Sequence, residues 1–227
     1  MILSIIVPCY NEEHNIEAIV KAIQDVPVSK EIIIVDDGST DKTTEILEKV
    51  ERSGLVTKIH YSRVNFGKGS AIRIGLKYVT GDIVIIQDAD LEYDPRQFPA
   101  LIQPIVDGKA DVVYGSRFRG SISGMHFANR VANRVLTGFT NLLYLTHLTD
   151  EATCYKAFRA TAIRSINLTC RGFEFCPEIT AKVLKKGLRI REIPIRYEGR
   201  TVSEGKKVKW TDAFVAMWTL LKYRFCD

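Results

Sequence analysis

Two hydrophobic rhythms alternate along the first half of the chain. Short apolar runs at Ile2–Val7, Glu31–Val35, Val56–Tyr61, Ile83–Ile86 and Asp111–Tyr114 predict five strands. Between them the spacing lengthens to that of helices. Asn11–Val26 places Ile16, Ile19, Val20 and Ile23 on one face, Lys42–Arg52 follows Asp41 as its N-cap, and Gly69–Val79 and Pro95–Val106 complete the series. Strands alternating with helices of this length imply parallel βαβ units.

The second half is less regular. Gly115–Gly124 reads as a loop carrying Arg117 and Arg119, Phe127–Leu145 as a helix, and Asp150–Arg159 as an extended segment. Pro177–Lys186 is predicted helical, Glu192–Tyr197 a strand, and Glu198–Lys209 a polar, mobile loop. Trp210–Phe225 is an amphipathic helix with Trp210, Phe214, Met217, Trp218 and Leu221 at helical spacing and Lys222 and Arg224 beyond. It suits either core packing or a membrane interface, where Trp sits at the headgroup boundary and basic residues meet anionic lipid.

Open parallel sheets collect ligands beyond the carboxyl ends of their strands. Pro8–Glu12, Asp36–Asp41, Asn65–Ser70 and Gln87–Asp94 all fall at such ends. The last is the most informative. Asp88 and Asp90 stand one residue apart after a buried strand, with Glu92 two further on. Mg²⁺ takes one or two carboxylates and completes its shell with water and substrate phosphates, so the run points to a metal holding a diphosphate. Asp36 and Asp37 exceed what capping one turn requires, which leaves one of them for a base N–H or a ribose hydroxyl. Gly67 and Gly69 flank Lys68 before a helix, where the backbone can approach an anion closely. Arg117, Arg119, Arg130 and Arg134 suit phosphate oxygens, although Arg130 and Arg134, four apart, also fit a solvated helix face.

Composition narrows the classes. The 227 residues, 46% hydrophobic, fit one large α/β domain or a domain with an appended arm. A net charge of +5 is too mild for a nucleic-acid binder, but Lys182–Lys209 is crowded with Lys and Arg, which suits phosphate or a membrane surface. Five cysteines, an odd number without a C-x-x-C pair, argue against a disulfide framework or a zinc site and point to a reducing cytoplasm. The N-terminus enters a strand directly, so no signal peptide is expected. No apolar run approaches the roughly 18 residues of a membrane span, so a soluble protein or a peripheral one is expected. The four histidines lack metal-ligand spacing, and no G-x-S-x-G element or G-x-G-x-x-G fingerprint is present. A sugar-1-phosphate nucleotidyltransferase would carry a glycine-rich loop where Pro8–Glu12 stands.

In the stretches IIVPCYNEEHNI, EIIIVDDGSTDKT, NFGKGSAIRIGL, GDIVIIQDADLEYDP, ADVVYGSRF, LTDEATCYKAFR and YEGRTVSEGKKVKWTDAF, the chain resembles family 2 glycosyltransferases of the GT-A fold, and most of all their dolichyl- or polyprenyl-phosphate sugar synthases. The resemblance implies a Rossmann-like, mainly parallel central sheet flanked by helices, in a single domain. Residues 1–115 would bind the nucleotide sugar, 116–208 the acceptor, and 209–227 would form the terminal helix. It implies donor contacts from Pro8, Tyr10, Asn11, Glu12, Asp37 and Lys68, with Asp88, Ala89 and Asp90 beside the diphosphate and its Mg²⁺ or Mn²⁺. Glu92 takes the place of a metal-assisting Gln in mannosyl synthases. Arg117 and one of Arg130 or Arg134 would meet the acceptor phosphate, and Arg200 and Lys206 would close over it. Thr153-Cys154-Tyr155-Lys156 departs from the Thr-Ser-Gly-Phe-Arg of many relatives, and many also continue into transmembrane helices where this chain stops at Asp227.

The implied reaction is inverting transfer of a hexosyl group from GDP-mannose or UDP-glucose to a polyprenyl phosphate at the cytoplasmic face of a membrane. A phosphate monoester, with its second pKa near 6, needs cations to position it rather than a strong base. Asp150 and Glu151 sit where relatives with hydroxyl acceptors place a base, which keeps a saccharide acceptor open.

Overall fold

The computed structural model describes residues 1–200 and 211–226. Seven strands form one sheet in the order β3-β2-β1-β4-β6-β5-β7. They are β1 (Leu3–Cys9), β2 (Lys30–Asp36), β3 (Lys58–Tyr61), β4 (Ile83–Ile86), β5 (Val112–Ser123), β6 (Lys156–Arg159) and β7 (Ile190–Glu198). All neighbours pair in parallel except β6, which runs antiparallel to both β4 and β5. The helices are α1 (Ile16–Gln24), α2 (Thr43–Arg52), α3 (Lys68–Leu76), α4 (Phe98–Val106), α5 (Phe127–Tyr144), α6 (Ala160–Arg164), α7 (Phe175–Lys185) and α8 (Thr211–Phe225).

The unbroken apolar runs are explained by burial on both faces, as parallel sheets require. Alternate residues separate: Ile5, Ile32, Ile34, Ile85 and Val113 pack on one side with α1, α2 and α4, while Ile6, Ile33, Val84, Ile86 and Val112 pack on the other with residues of α3, α6 and α7. A third cluster, with Leu136, Ala181, Ala216, Leu220 and Tyr223, joins α5, α7 and α8. Buried Glu31 accepts hydrogen bonds from Ser4 Oγ at 2.5 Å and from Thr80 and Gly81, and so ties β1 and β2 to the turn that launches β4.

Three expected segments differ. The Gly115–Gly124 loop is instead a continuation of β5, paired with β7 to Ser123. Its polarity hid it, because past Ser116 β5 is paired with β7 alone and is largely exposed. The register jumps between Ser116↔Pro194 and Ser121↔Arg196, and this bulge re-aims Arg117. Gly120 is obligatory there, since a Cβ would lie 1.9 Å from the Ile195 carbonyl oxygen. The extended reading of Asp150–Arg159 holds only for Lys156–Arg159, and residues 150–155 form a loop. Pro95–Val106 opens with a 3₁₀ turn over Pro95–Gln97, capped by the Asp94 carboxylate, which accepts from the Arg96 amide.

Candidate active site

A cavity of about 590 Å³ opens beyond the carboxyl ends of β1, β2 and β4 and extends between α5, α7 and α8. Pro8, Tyr10, Glu12, Asp37, Lys68, Asp88, Ala89, Asp90, Glu92, Arg117 and Arg200 all line it.

The turn after β4 is held from below. The Gln87 amide donates to the Asp88 and Tyr93 carbonyls, and its oxygen accepts from Tyr155 at 2.5 Å. Leu91 takes the left-handed region at φ 61°, which folds the chain back so that the Glu92 amide reaches Asp90 at 3.2 Å. Tyr93 is buried against Tyr155 and Tyr197, with ring centroids 4.7 and 5.1 Å apart.

The acidic corner above this floor is balanced by two basic side chains. Lys68 Nζ lies 2.5 Å from Asp88 and 3.3 Å from Cys154 Sγ. Burial is the largest influence on Asp88 and raises its pKa, but the Lys68 ammonium, a hydrogen bond from Cys154 and the Arg200 charge together outweigh it and hold the carboxyl below its usual range. Arg200 reaches Asp90 at 3.1 Å, Glu12 at 3.2 Å and Glu92 at 3.9 Å. Glu92 also accepts from Tyr197 Oη at 2.7 Å and from the Arg200 amide at 2.9 Å. Burial, with the Asp88 and Glu92 carboxylates close by, still pushes Asp90 up to about 7. The corner therefore favours added positive charge. Among the described residues no three acidic, His or Cys side chains converge to enclose a cation unaided. The donor set nevertheless fits Mg²⁺ or Mn²⁺, since carboxylates from Asp88 and Asp90 would be completed by substrate diphosphate and water.

The two acids after β2 divide their work. Asp36 accepts from the Ser39 amide and the Thr44 hydroxyl and closes the turn. Asp37 lines the cavity and accepts from the Phe66 and Gly67 amides at 3.0 and 2.7 Å, which holds the loop before α3 in place. Asn11, with φ 49°, clasps the first two turns together: its side chain accepts from the Thr40 amide and its amide donates to Ser39 Oγ. It does not line the cavity.

Arg117 is 5% exposed and locked to Asp150. Its Nε and Nη2 each lie 2.7 Å from one Asp150 oxygen, its amide donates to the same carboxylate at 2.9 Å, and Tyr197 lies 5.3 Å from the guanidinium. Asp150 is fully buried behind Arg117 and does not line the cavity. Arg130 and Arg134 do not reach the cavity either. Both are exposed on α5, and Arg134 stacks on Phe118 at 4.9 Å. At about 100° per residue, the positions one before them, Asn129 and Asn133, turn inward instead, and their identical i, i+4 spacing was the available signal. Lys206 lies outside the described residues. Sequence reasoning also passed over Tyr93, Tyr197 and Cys176 as cavity-lining residues.

Residues 4–166 match the family Glycosyl transferase family 2. The chain is 29% identical over 218 residues to a dolichol-phosphate mannosyltransferase of Pyrococcus furiosus, covering 92% of this chain and 61% of that protein. It is 31% identical over 229 residues to the UDP-N-acetylglucosamine–dolichyl-phosphate N-acetylglucosaminyltransferase of Methanococcus voltae, covering 91% and 90%. Of a hexosyltransferase of low-salt glycan biosynthesis from Haloferax volcanii, 31% identical, it spans 48% of the length. Glucosyl-3-phosphoglycerate synthase of Mycobacterium tuberculosis, solved with Mn²⁺, UDP and glucosyl-3-phosphoglycerate, superposes with a TM-score of 0.76 at 21% identity, covering 99% of this chain and 80% of that one. The sheet order, the acidic turn after β4 and these similarities agree: the chain has the GT-A fold and belongs to glycosyl transferase family 2.

Proposed function

We propose that the protein transfers a hexosyl group from a nucleotide sugar to a polyprenyl or dolichyl phosphate at a membrane surface, with inversion. The observation that carries the acceptor is the two-sidedness of α5 and α8. Their inner faces line the cavity through Ala128, Ala132, Leu136, Ala213 and Ala216. Their outer faces expose Phe127, Val131, Val135 and Leu142 on α5, and Phe214, Trp218, Leu221 and Phe225 on α8. Exposed apolar stripes of this kind, flanked by Arg130, Arg134, Lys222 and Arg224, suit the boundary of an anionic bilayer. Among the described residues no helix is long and apolar enough to cross a membrane.

Pro8, Tyr10, Glu12 and Asp37 line the cavity and would take the nucleoside, and Lys68, beside Asp88, would meet the diphosphate. Asp88 and Asp90 would hold Mg²⁺ or Mn²⁺, which when bound stabilises charge on the departing diphosphate. Arg117 keeps one guanidinium edge for the acceptor phosphate, while Asp150 fixes the other and sets its orientation. Arg200 neutralises the acidic corner and is positioned to meet phosphate there. The names of relatives support the lipid acceptor. The test is incubation with labelled GDP-mannose, UDP-glucose or UDP-N-acetylglucosamine and Mn²⁺, with undecaprenyl phosphate in one arm and a panel of saccharides in the other. Product in the lipid arm alone supports the proposal, and product confined to the saccharide arm overturns it.

A further inference from the structure

Glu151 is a buried carboxyl in the cavity wall. It is 0% exposed, it lines the cavity, and among the described residues neither of its oxygens has a hydrogen-bond partner. Its backbone is firmly held, with the amide donating to Thr137 Oγ1 at 3.1 Å and the carbonyl accepting from Lys156 Nζ at 2.8 Å. The polar groups around the side chain are spent elsewhere. Lys156 turns its ammonium to the Glu151 and Thr153 carbonyls and to the Tyr114 ring, 4.6 Å away. Thr180 Oγ1 lies 2.9 Å from the Cys176 carbonyl, to which it donates, and 2.9 Å from the Tyr114 hydroxyl. No donor reaches the Glu151 oxygens within hydrogen-bonding distance among the described residues, although the Thr180 hydroxyl is close enough to oppose the effect of burial on the acid. A buried polar group left this way costs on the order of 1–3 kcal/mol, more if charged, and such groups are uncommon without a functional reason.

The chemistry of the wall narrows what would satisfy it. A phosphate would be repelled by a carboxyl. A hydroxyl is neutral and both donates and accepts, so it suits either protonation state of the acid. The loop that carries Glu151 also runs between the two ends of the reaction. Asp150, one residue before, grips Arg117, and Cys154, three residues after, touches the Lys68 that pairs with Asp88. In a glycosyl transfer the sugar lies between the departing diphosphate and the incoming nucleophile.

The geometry points to Glu151 as the residue that holds a sugar hydroxyl in the cavity. This rests on the transferase reading above. The hydroxyl is assigned to the hexose of the donor, and a saccharide acceptor is the competing source that the test separates. Glu151→Met keeps length and volume but neither donates nor accepts, whereas Glu151→Gln keeps both capacities. Binding of GDP, GDP-mannose, UDP, UDP-glucose and UDP-N-acetylglucosamine is measured by calorimetry with Mn²⁺ for each variant. Turnover is followed with labelled donor against undecaprenyl phosphate and against saccharides.

For a donor hydroxyl, Glu151→Met weakens the preferred nucleotide sugar about tenfold, the worth of one buried hydrogen bond. The matching nucleoside diphosphate stays within about twofold, and Glu151→Gln restores most of the difference. Unchanged nucleotide-sugar affinity with a saccharide KM raised about tenfold would put the hydroxyl on an acceptor instead and overturn the donor assignment. If Glu151→Met does not fold, Glu151→Ala with Glu151→Gln supplies the same comparison. A wild type that binds nucleotide sugars, with substituted proteins that bind them and use acceptors equally well, overturns this inference alone. A wild type that binds no nucleotide sugar overturns the transferase reading as well.

Discussion

The buried pair of Arg117 and Asp150 sets the sharpest energetic expectation. Their side chains are 6% and 0% exposed, with two contacts of 2.7 Å between guanidinium and carboxylate. Arg117→Met leaves the Asp150 charge buried and unpaired, and Asp150→Asn leaves the guanidinium without its countercharge. Removing one partner of such a pair typically costs about 3–5 kcal/mol, a large share of the roughly 5–15 kcal/mol that holds a domain folded. The double variant buries no unpaired charge, so it should be more stable than the sum of the two losses implies, by about 2 kcal/mol or more. Urea unfolding at pH 7 of the four proteins measures this directly. Single losses below about 1 kcal/mol, or losses that add within about 0.5 kcal/mol, would refute the reasoning. The same result governs how Arg117 is tested kinetically. A fall in turnover for Arg117→Ala mixes acceptor binding with a damaged fold, whereas Arg117→Lys keeps the charge and isolates the bidentate contact.

Three further outcomes are expected. Asp90→Ala should lower transfer by orders of magnitude in the labelled-donor assay while the urea midpoint stays or rises, because crowding by Asp88 and Glu92 is relieved; unchanged turnover would remove Asp90 from the site. Glu151→Gln should stabilise the protein increasingly from pH 5 to pH 8. Burial, opposed by Lys156, lifts the Glu151 pKa from its ordinary 4.5 to about 7. The native state therefore holds this proton more tightly than the unfolded chain, so wild-type stability falls as pH rises through that window, by up to roughly 3 kcal/mol at about 1.4 kcal/mol per pKa unit. A pH-independent difference would contradict it. Trp218→Asp with Val131→Asp should cut sedimentation with phosphatidylglycerol vesicles at least about tenfold, since each apolar side chain is worth about 1.5–3 kcal/mol when buried. Both positions are exposed, so the melting temperature should hold, and undiminished sedimentation would refute a lipid-facing role.

Much of the architecture was legible from local pattern. Apolar runs and helical spacing fall close to β1–β4 and α1–α4, because a residue's burial in a layered α/β sheet follows from its phase within its own element. The polar turns at the ends of β1, β2 and β4 were legible for the same reason, and their convergence on one cavity follows from parallel strand direction. Nothing local could show that β5 runs on past Gly115, since its bulged extension is recognised by its pairing with β7 and not by its own alternation. Nor could spacing tell which side of α5 faces inward. Arg130 and Arg134 share the spacing of Asn129 and Asn133, and the packing of Leu136 against α8 decides between them.

The chain order alone thus determined a mainly parallel α/β scaffold and the position of its acidic turn. Only the folded chain decided how charge is distributed there. Arg200 meets Asp90 across 110 residues, Lys68 meets Asp88 across 20, and Arg117 meets Asp150 across 33. Coulombic partners are chosen by distance in space and by shared burial, and neither is encoded in the identity of a residue's neighbours along the chain.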